Sequence, residues 1–162
     1  MRKLTDTEAA YIAGLLDGEG CFGIDAQKVK LKSGRVRLCF TAIISILMTH
    51  KPTIEFMSRI FEGNICTYIR KNENWSPAFS VYLRRQVEVK SLLTQILPYI
   101  KTKTEQARLL LQLLELKRKS GERAQIEEQA EIYRKVRTLN SEISDAEYQK
   151  VKTMLYRKLR LI

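Results

Sequence analysis

Cysteine and histidine are scarce in this sequence, which has three cysteines and one histidine among 162 residues. Cys21, Cys39 and Cys66 are odd in number and widely spaced, which fits neither a disulfide framework nor paired CxxC zinc ligands. The single histidine, His50, excludes a multi-histidine metal site. We therefore expect the cysteines to be small, partly buried hydrophobic residues, and His50 to have a structural or phosphate-contacting role.

Long apolar runs are also absent. No segment approaches the roughly 20 uninterrupted apolar residues of a membrane helix, and no apolar stretch follows a basic N-terminal start. The composition, 44% hydrophobic and 29% charged, is that of a globular protein, and 162 residues suffice for one domain with a core. We expect a soluble, intracellular protein with no membrane partner.

Acidic residues are the minority charge, with 18 Asp and Glu against 29 Lys and Arg, so the net charge is +11. A charge of this size on a small domain calls for a polyanionic partner, and nucleic acid is the leading candidate. The strongest basic cluster lies in residues 26–37, which contain no acidic residue. It consists of Lys28, Lys30, Lys32, Arg35 and Arg37. A solubilising surface loop is the alternative, but the strands predicted on either side favour nucleic-acid contact.

Periodicity predicts an α-β-β-α-β-β-α order with a helical tail. Thr5 is the predicted N-cap and Glu8 its capping-box partner, for a helix that ends near Gly18. The other predicted elements are strands at 21–27, 36–48, 65–70 and 78–83 and helices at 52–61, 87–97, 104–119, 122–139 and 144–159. The charges of the last two helices form either a solvated face or a phosphate-contacting one; they include Arg134, Lys135, Arg137, Arg157, Lys158 and Arg160.

The four predicted strands should form an antiparallel sheet with one face on the helices and the other free. A twisted sheet of this kind can lie in the DNA major groove, where base edges carry a distinct donor and acceptor pattern. Free-face and hairpin-tip positions supply the candidate DNA contacts, which are Asp25, Gln27, Lys28, Lys30, Lys32, Arg35, Arg37, Tyr68, Arg70, Ser80, Tyr82 and Arg84.

The run from Ile12 to Gly20, IAGLLDGEG, places two carboxylates between glycines at the end of the first helix. Ala10, Ala13, Gly14 and Asp17 or Gly18 recur at helical spacing, so one helix face is nearly bare and a second helix can approach it closely. Glu19 stands where the helix ends, although that end carries partial negative charge, which suggests a compensating cation. The alternative is a glycine-interrupted core helix ending in a solvated acid.

This run resembles the defining motif of the LAGLIDADG homing endonucleases position for position, with Glu19 at the last acid. The resemblance implies an α+β fold with a four-stranded antiparallel DNA-binding saddle, its αββαββα core at 5–118 and a helical extension at 119–162 within one domain. It implies a site-specific double-strand DNA endonuclease. A single motif implies a homodimer with a near-palindromic target, and an interface formed by Ala10, Ala13, Gly14 and Asp17.

The resemblance also implies the chemistry. Glu19, with Gly18 beside it, would hold Mg²⁺ or another hard cation such as Mn²⁺, and the metal would activate a water and stabilise the phosphate charge. Asp17 would cap and pack the helix. The segment from Leu97 to Ala107 is similar to the family's L-x-P-x-L-x-x-K-x-x-Q-A segment, which puts Lys103 at the catalytic lysine position and leaves Lys101 as the nearest competitor.

One family element departs in this chain. Related single-motif enzymes have a glutamine or asparagine where colinear counting places the apolar residue Ile46. Either the strand register slips so that Ser45 or Thr49 faces the water, or His50 or Lys51 contributes near the scissile phosphate. Two other functions therefore stay open: an RNA-binding splicing cofactor that binds intron RNA, and a non-cleaving DNA-binding protein.

Overall fold

The computed structural model describes residues 1–30, 34, 36–69, 76–116 and 123–140. Its elements are α1 (Asp6–Glu19), β1 (Gly20–Lys30), β2 (Val36–Met48), α2 (Lys51–Phe61), β3 (Cys66–Tyr68), β4 (Ala78–Leu83), α3 (Gln86–Ile96), a 3₁₀ turn (Leu97–Tyr99), α4 (Thr104–Leu116) and α5 (Arg123–Asn140). This order confirms the predicted α-β-β-α-β-β-α fold. Outside the described residues lie Lys32, Arg35, Arg70 and the predicted helix at 144–159 with Arg157, Lys158 and Arg160; the side chain of Arg37, a β2 residue, is also outside the described set.

A complete capping box starts α1. The Thr5 hydroxyl accepts a hydrogen bond from the Glu8 backbone N–H at 3.2 Å, and the Glu8 carboxylate accepts one from the Thr5 N–H at 3.0 Å. The hydrogen bond from Arg2 lowers the pKa of Glu8 to about 2. The predicted N-cap and its partner are thus confirmed, and the helix presents Ile12 and Leu16 to the core.

All four strands form one antiparallel sheet in the order β1-β2-β4-β3. The register pairs Gly20 with Ile46 and Asp25 with Thr41. The period-two alternation is present as expected: Phe22 and Ile24 are buried, while the odd-numbered residues of β1 face away from the helices. One sheet face is therefore packed and the other is free.

The helices cover the packed face, and α5 belongs to this layer. Ile132 and Val136 of α5 are buried in the core, and the Tyr133 ring lies 5.7 Å from that of Phe40. Asn140, the last residue of α5, donates a side-chain hydrogen bond to the Phe22 carbonyl at 2.7 Å. Apart from its exposed charges, α5 is part of the structural core.

Two expectations need correction at the sheet. Cys21 and Cys66 are exposed rather than partly buried, because the strand register places both on the free face of the sheet. Cys39 lies on the same face and is half-buried, as expected. The strand predicted at 65–70 is described only as Cys66–Tyr68.

None of the described helices combines the length and apolar character needed to cross a membrane.

Candidate active site and nucleic-acid interface

The motif helix is joined to the start of α4 by a cluster of Asp17, Glu19, Gly20 and Lys103, here called the motif-end cluster. The Asp17 carboxylate accepts backbone hydrogen bonds from Lys101 at 2.6 Å and from Lys103 at 3.1 Å. Burial alone would raise the pKa of Asp17, but these backbone donors outweigh it and the pKa is lowered. Asp17 is therefore engaged as a capping carboxylate.

Lys103 places its ammonium group at the C-terminal end of α1. The Nζ atom donates to the Leu16 carbonyl at 3.0 Å and to the Gly20 carbonyl at 2.6 Å. A cation here compensates the partial negative charge of the helix end. Gly20 leaves no room for a side chain, because a Cβ atom would lie 2.6–2.7 Å from atoms of Leu16.

Glu19 is exposed at the same helix end, next to exposed Gly18. In the residues described, no donor or cation contacts its carboxylate, and no group of three potential metal-ligating side chains is present. A carboxylate with no partner among the described residues suits a hard, oxygen-preferring cation such as Mg²⁺. One chain supplies too few ligands to enclose such an ion by itself.

Ile46 points into the core and is 1% exposed, so its side chain cannot contact an active-site water. Its neighbour Ser45 faces the free side opposite Cys21, so Ser45 is the polar residue that the second strand offers near the motif. Thr49 is exposed just beyond the strand.

His50 and Lys51 lie at the N-terminal end of α2 and contact neighbours in the same region. The His50 Nδ1 atom is 2.8 Å from the Thr53 hydroxyl. The Lys51 ammonium is 3.5 Å from Glu55 and lies 5.9 Å from the centre of the Phe79 ring. Both side chains remain exposed, as a phosphate contact would require.

The bare face of α1 is narrower than the helical spacing predicted. Ala10, Gly14 and Gly18 are exposed and form it, and a Cβ atom built on either glycine would meet nothing within 4 Å. Ala13, expected at an interface, is instead fully buried in the core of its own chain, and Asp17 is turned toward the loop before α4. Ala10, Gly14 and Gly18 are four residues apart and share one side of the helix, whereas Ala13 and Asp17 fall on the side that contacts the rest of the chain.

Tyr11 extends this face. It is half exposed, and its ring packs edge-on against Phe56 of α2 at 5.7 Å. Sequence reasoning missed Tyr11, although its spacing of three residues from Gly14 places the two on one side of the helix.

On the free face of the sheet, four predicted DNA-contacting residues form a row, here called the sheet-face network: Tyr68, Tyr82, Arg84 and Asp25. The two tyrosine hydroxyls are 2.9 Å apart, the Arg84 guanidinium lies 5.2 Å from the Tyr82 ring centre, and Arg84 pairs with Asp25 at 2.8 Å. Gln27 is exposed on the same face.

Other predicted DNA contacts separate into two groups. Lys28 and Lys30 are exposed, but their even positions turn them toward the opposite side of the hairpin from Asp25 and Gln27. Ser80 is a correction: it is 1% exposed, so it cannot reach DNA in this conformation. Its free-face parity was right, but its position between Leu47 and Cys66, on the two flanking strands, covers it.

The chain is similar to a known protein family and to several solved structures. The family model described as LAGLIDADG endonuclease matches residues 12–115. No curated protein sequence matches the chain. Among solved structures, the chain is similar to the homing endonuclease I-CvuI in complex with the I-CreI target, with 22% identity, a TM-score of 0.63, and 83% of each chain covered.

A second similar structure is the archaeal intron-encoded homing endonuclease I-Vdi141I complexed with DNA. The identity is 12% and the TM-score 0.67, over 86% of this chain and 87% of that one. These likenesses support the fold, and the family model covers the motif itself, the sheet and nearly all of α4. The chain therefore belongs to the LAGLIDADG endonuclease family.

Proposed function

We propose that this chain is a homodimeric endonuclease that hydrolyses both strands of double-stranded DNA at a long, near-palindromic site, using Mg²⁺ or Mn²⁺. The observation that carries the proposal is the exposed Glu19 carboxylate, which has no partner among the described residues, at the end of the motif helix. It acts inside the cell on genomic or organellar DNA.

The bare face of α1 supports the dimer. Glycine inside a helix costs about 1 kcal/mol relative to alanine, and Gly14 and Gly18 face open space, so nothing described in their own chain requires them. A second copy of α1 packed on this face would explain the missing side chains, since it could approach closely. The same two-fold arrangement would bring together two Glu19 carboxylates.

Glu19 and the neighbouring Gly18 are the residues that would hold the metal. A bound Mg²⁺ supplies Lewis-acid stabilisation of the charge that develops on the phosphate. Lys103 lies at the same end of the motif helix: an ammonium has three donors, and two of them go to the Leu16 and Gly20 carbonyls. The third donor would orient a water molecule toward the scissile phosphate, and Ser45, a half-buried residue on the free face of β2, is the candidate for a second contact to that water.

The free face of the sheet supports DNA as the substrate. It carries Gln27 and the sheet-face network, and the chain's net charge of +11 favours a polyanion. The similar structures of I-CvuI were solved with a DNA target in the presence of Mg and of Ca, which is consistent with a divalent cation.

The test is cleavage of a randomised duplex DNA library by wild type and Glu19→Gln proteins, with EDTA as a second arm and sequencing of the cut ends. Glu127→Gln on α5 is the matched control, because Glu127 is exposed and lies outside the motif-end cluster. We expect cuts at one near-palindromic site that require both the metal and Glu19. Equal cutting by wild type and Glu19→Gln would overturn the proposal.

Ile46 favours a second candidate, binding without cleavage, because a buried apolar side chain stands where related enzymes place a polar one. Under that alternative the chain is an intron RNA-binding splicing cofactor or a non-cleaving DNA-binding protein. Tight, salt-sensitive binding of structured intron RNA or of duplex DNA, with no cutting in Mg²⁺ or Mn²⁺, would select it.

A further inference from the structure

The sheet-face network contains an ion pair that spans a strand. Asp25 lies on β1 and Arg84 directly after β4, on opposite sides of β2. The Asp25 Oδ2 atom accepts a hydrogen bond from Arg84 Nη1 at 2.8 Å, while the two side chains keep 41% and 53% of their surface exposed. A carboxylate on a face that meets DNA repels phosphate, so its presence there needs a reason beyond phosphate contact.

The Arg84 guanidinium is also supported from its other side. It lies 5.2 Å from the centre of the Tyr82 ring, within cation–π range. The Tyr82 hydroxyl is 2.9 Å from that of Tyr68, and this hydrogen bond raises the pKa of Tyr82, so its phenol stays neutral at physiological pH. The platform beneath Arg84 thus adds no negative charge to the surface.

The backbone of Arg84 is fixed by Gln86. The Gln86 side-chain amide accepts from the Ala42 N–H at 3.0 Å and donates to the Ala42 carbonyl at 2.9 Å. The same amide donates to the Arg84 carbonyl at 2.7 Å. Gln86 therefore continues the pairing between β2 and the β4 chain by one further step, and holds Arg84 against the sheet.

We propose that Arg84 reads a guanine in the major groove and that Asp25 is a positioning residue that orients its guanidinium. This inference rests on the proposed DNA-binding function. Arginine presents five N–H donors in a planar fork, so an Nη1 bond to Asp25 leaves donors to pair with guanine O6 and N7. A side chain oriented before binding loses less entropy when it binds.

The position of the guanine follows from the strand. Asp25 is six residues after Glu19, and a strand rises about 3.3 Å per residue, so Arg84 acts within about 20 Å of the motif end. With the cut at the motif end, as proposed, and β1 running along the groove, about 3.4 Å per base pair would place the guanine within about six base pairs of the cut in each half-site.

The experiment is a binding selection from a randomised duplex DNA library in EDTA, so that the base preference is measured without cutting. The proteins are wild type, Arg84→Lys, which keeps the charge but loses the fork, and Asp25→Asn, which keeps the shape but loses the charge. Arg108→Lys is the matched control, because Arg108 is exposed on α4 away from the sheet. Thermal unfolding of each variant shows whether the fold is kept.

We expect a guanine preference at one base pair per half-site in wild type that falls about tenfold or more in Arg84→Lys. Asp25→Asn should weaken the preference at the same base pair while its overall DNA affinity is unchanged or higher, which a merely structural role would not produce. The inference is overturned if Arg84→Lys keeps every preference, or if Asp25→Asn changes a different base pair. An absence of cutting in Mg²⁺ would instead count against the proposed endonuclease alone.

Discussion

The Lys103 ammonium lies 2.6 Å from the carbonyl oxygen of Gly20, the residue that follows α1. It lies 3.0 Å from the carbonyl oxygen of Leu16 as well. The lysine that the family resemblance marks as catalytic is thus also a hydrogen-bonding partner of the motif helix. Lys101, two residues earlier, is a matched comparison, because its side chain is exposed and it contacts Asp17 only through its backbone.

Lys103→Met should lower both DNA cleavage and stability. Loss of the ammonium leaves the Leu16 and Gly20 carbonyls without this donor, which we expect to cost about 1–3 kcal/mol of unfolding free energy in urea titrations. Lys101→Met, the matched control, should keep stability within about 0.5 kcal/mol of wild type and should still cut. If Lys101→Met abolished cutting and Lys103→Met did not, the assignment of the two lysines would be reversed.

Asp17→Asn should remove a pH-dependent contribution to stability. The pKa of Asp17 in the folded chain lies below its ordinary value of 3.8, so the folded state favours the ionised form. The stabilisation is therefore complete above about pH 5 and is lost as the pH falls through the folded pKa. At neutral pH the amide, which must turn one donor toward the cluster, should cost about 1–2 kcal/mol.

The measurement is the difference in unfolding free energy between wild type and Asp17→Asn at pH 7 and at successively lower pH. Glu8 also has a lowered pKa, but it is present in both proteins and cancels in the difference. A difference that stays constant down to pH 2 would show that Asp17 is not stabilised as a carboxylate.

Gly14→Ala should stabilise the single chain and weaken its dimer. The added methyl group meets no atom within 4 Å in the chain itself, and alanine gains about 1 kcal/mol over glycine in a helix. Against a second α1 the same methyl would be a steric obstacle. Sedimentation over a dilution series should show a higher dissociation constant, whereas Glu128→Ala on exposed α5 surface should leave it unchanged. Identical association of Gly14→Ala and wild type would argue against this interface.

Val136→Ala tests whether α5 is part of the core. Val136 is fully buried, so its truncation should cost about 1–3 kcal/mol of unfolding free energy. Leu139→Ala on the same helix is the control, because Leu139 is nearly half exposed and should cost less than about 0.5–1 kcal/mol. Equal effects of the two substitutions would place α5 outside the cooperative fold.

Local patterns were enough to predict most of the fold. The Thr5 cap depends on residues three positions apart, and the alternation of Phe22, Gly23 and Ile24 depends on strand geometry alone. The bounds of β2 at Val36–Met48 follow from a continuous run of residues that favour strands. Each of these sequence patterns lies within a few residues of the structural feature that it predicts.

Features that depend on distant contacts were harder to predict. Ala13 and Gly14 are adjacent small residues, and only the packing of α1 on the core decides which of them is buried. Ser80 has the parity of an exposed residue, but flanking strands cover it. Gln86 was not predicted as a site residue because its amide acts on Ala42, which is 44 positions away in the chain.

Both ends of α1 are fixed, by the Thr5 capping box at one end and by Asp17 and Lys103 at the other. The core side chains and Glu19 lie on this one helix. The number of residues in the helix therefore determines the direction in which the Glu19 carboxylate points relative to the core. One inserted residue would turn Glu19 by about 100° and advance it by about 1.5 Å. Because one turn takes 3.6 residues, an insertion of one to three residues leaves the carboxylate about 60° or more away from its original direction. The position of Glu19 therefore depends on the length of this helix more than on the identity of its exposed side chains.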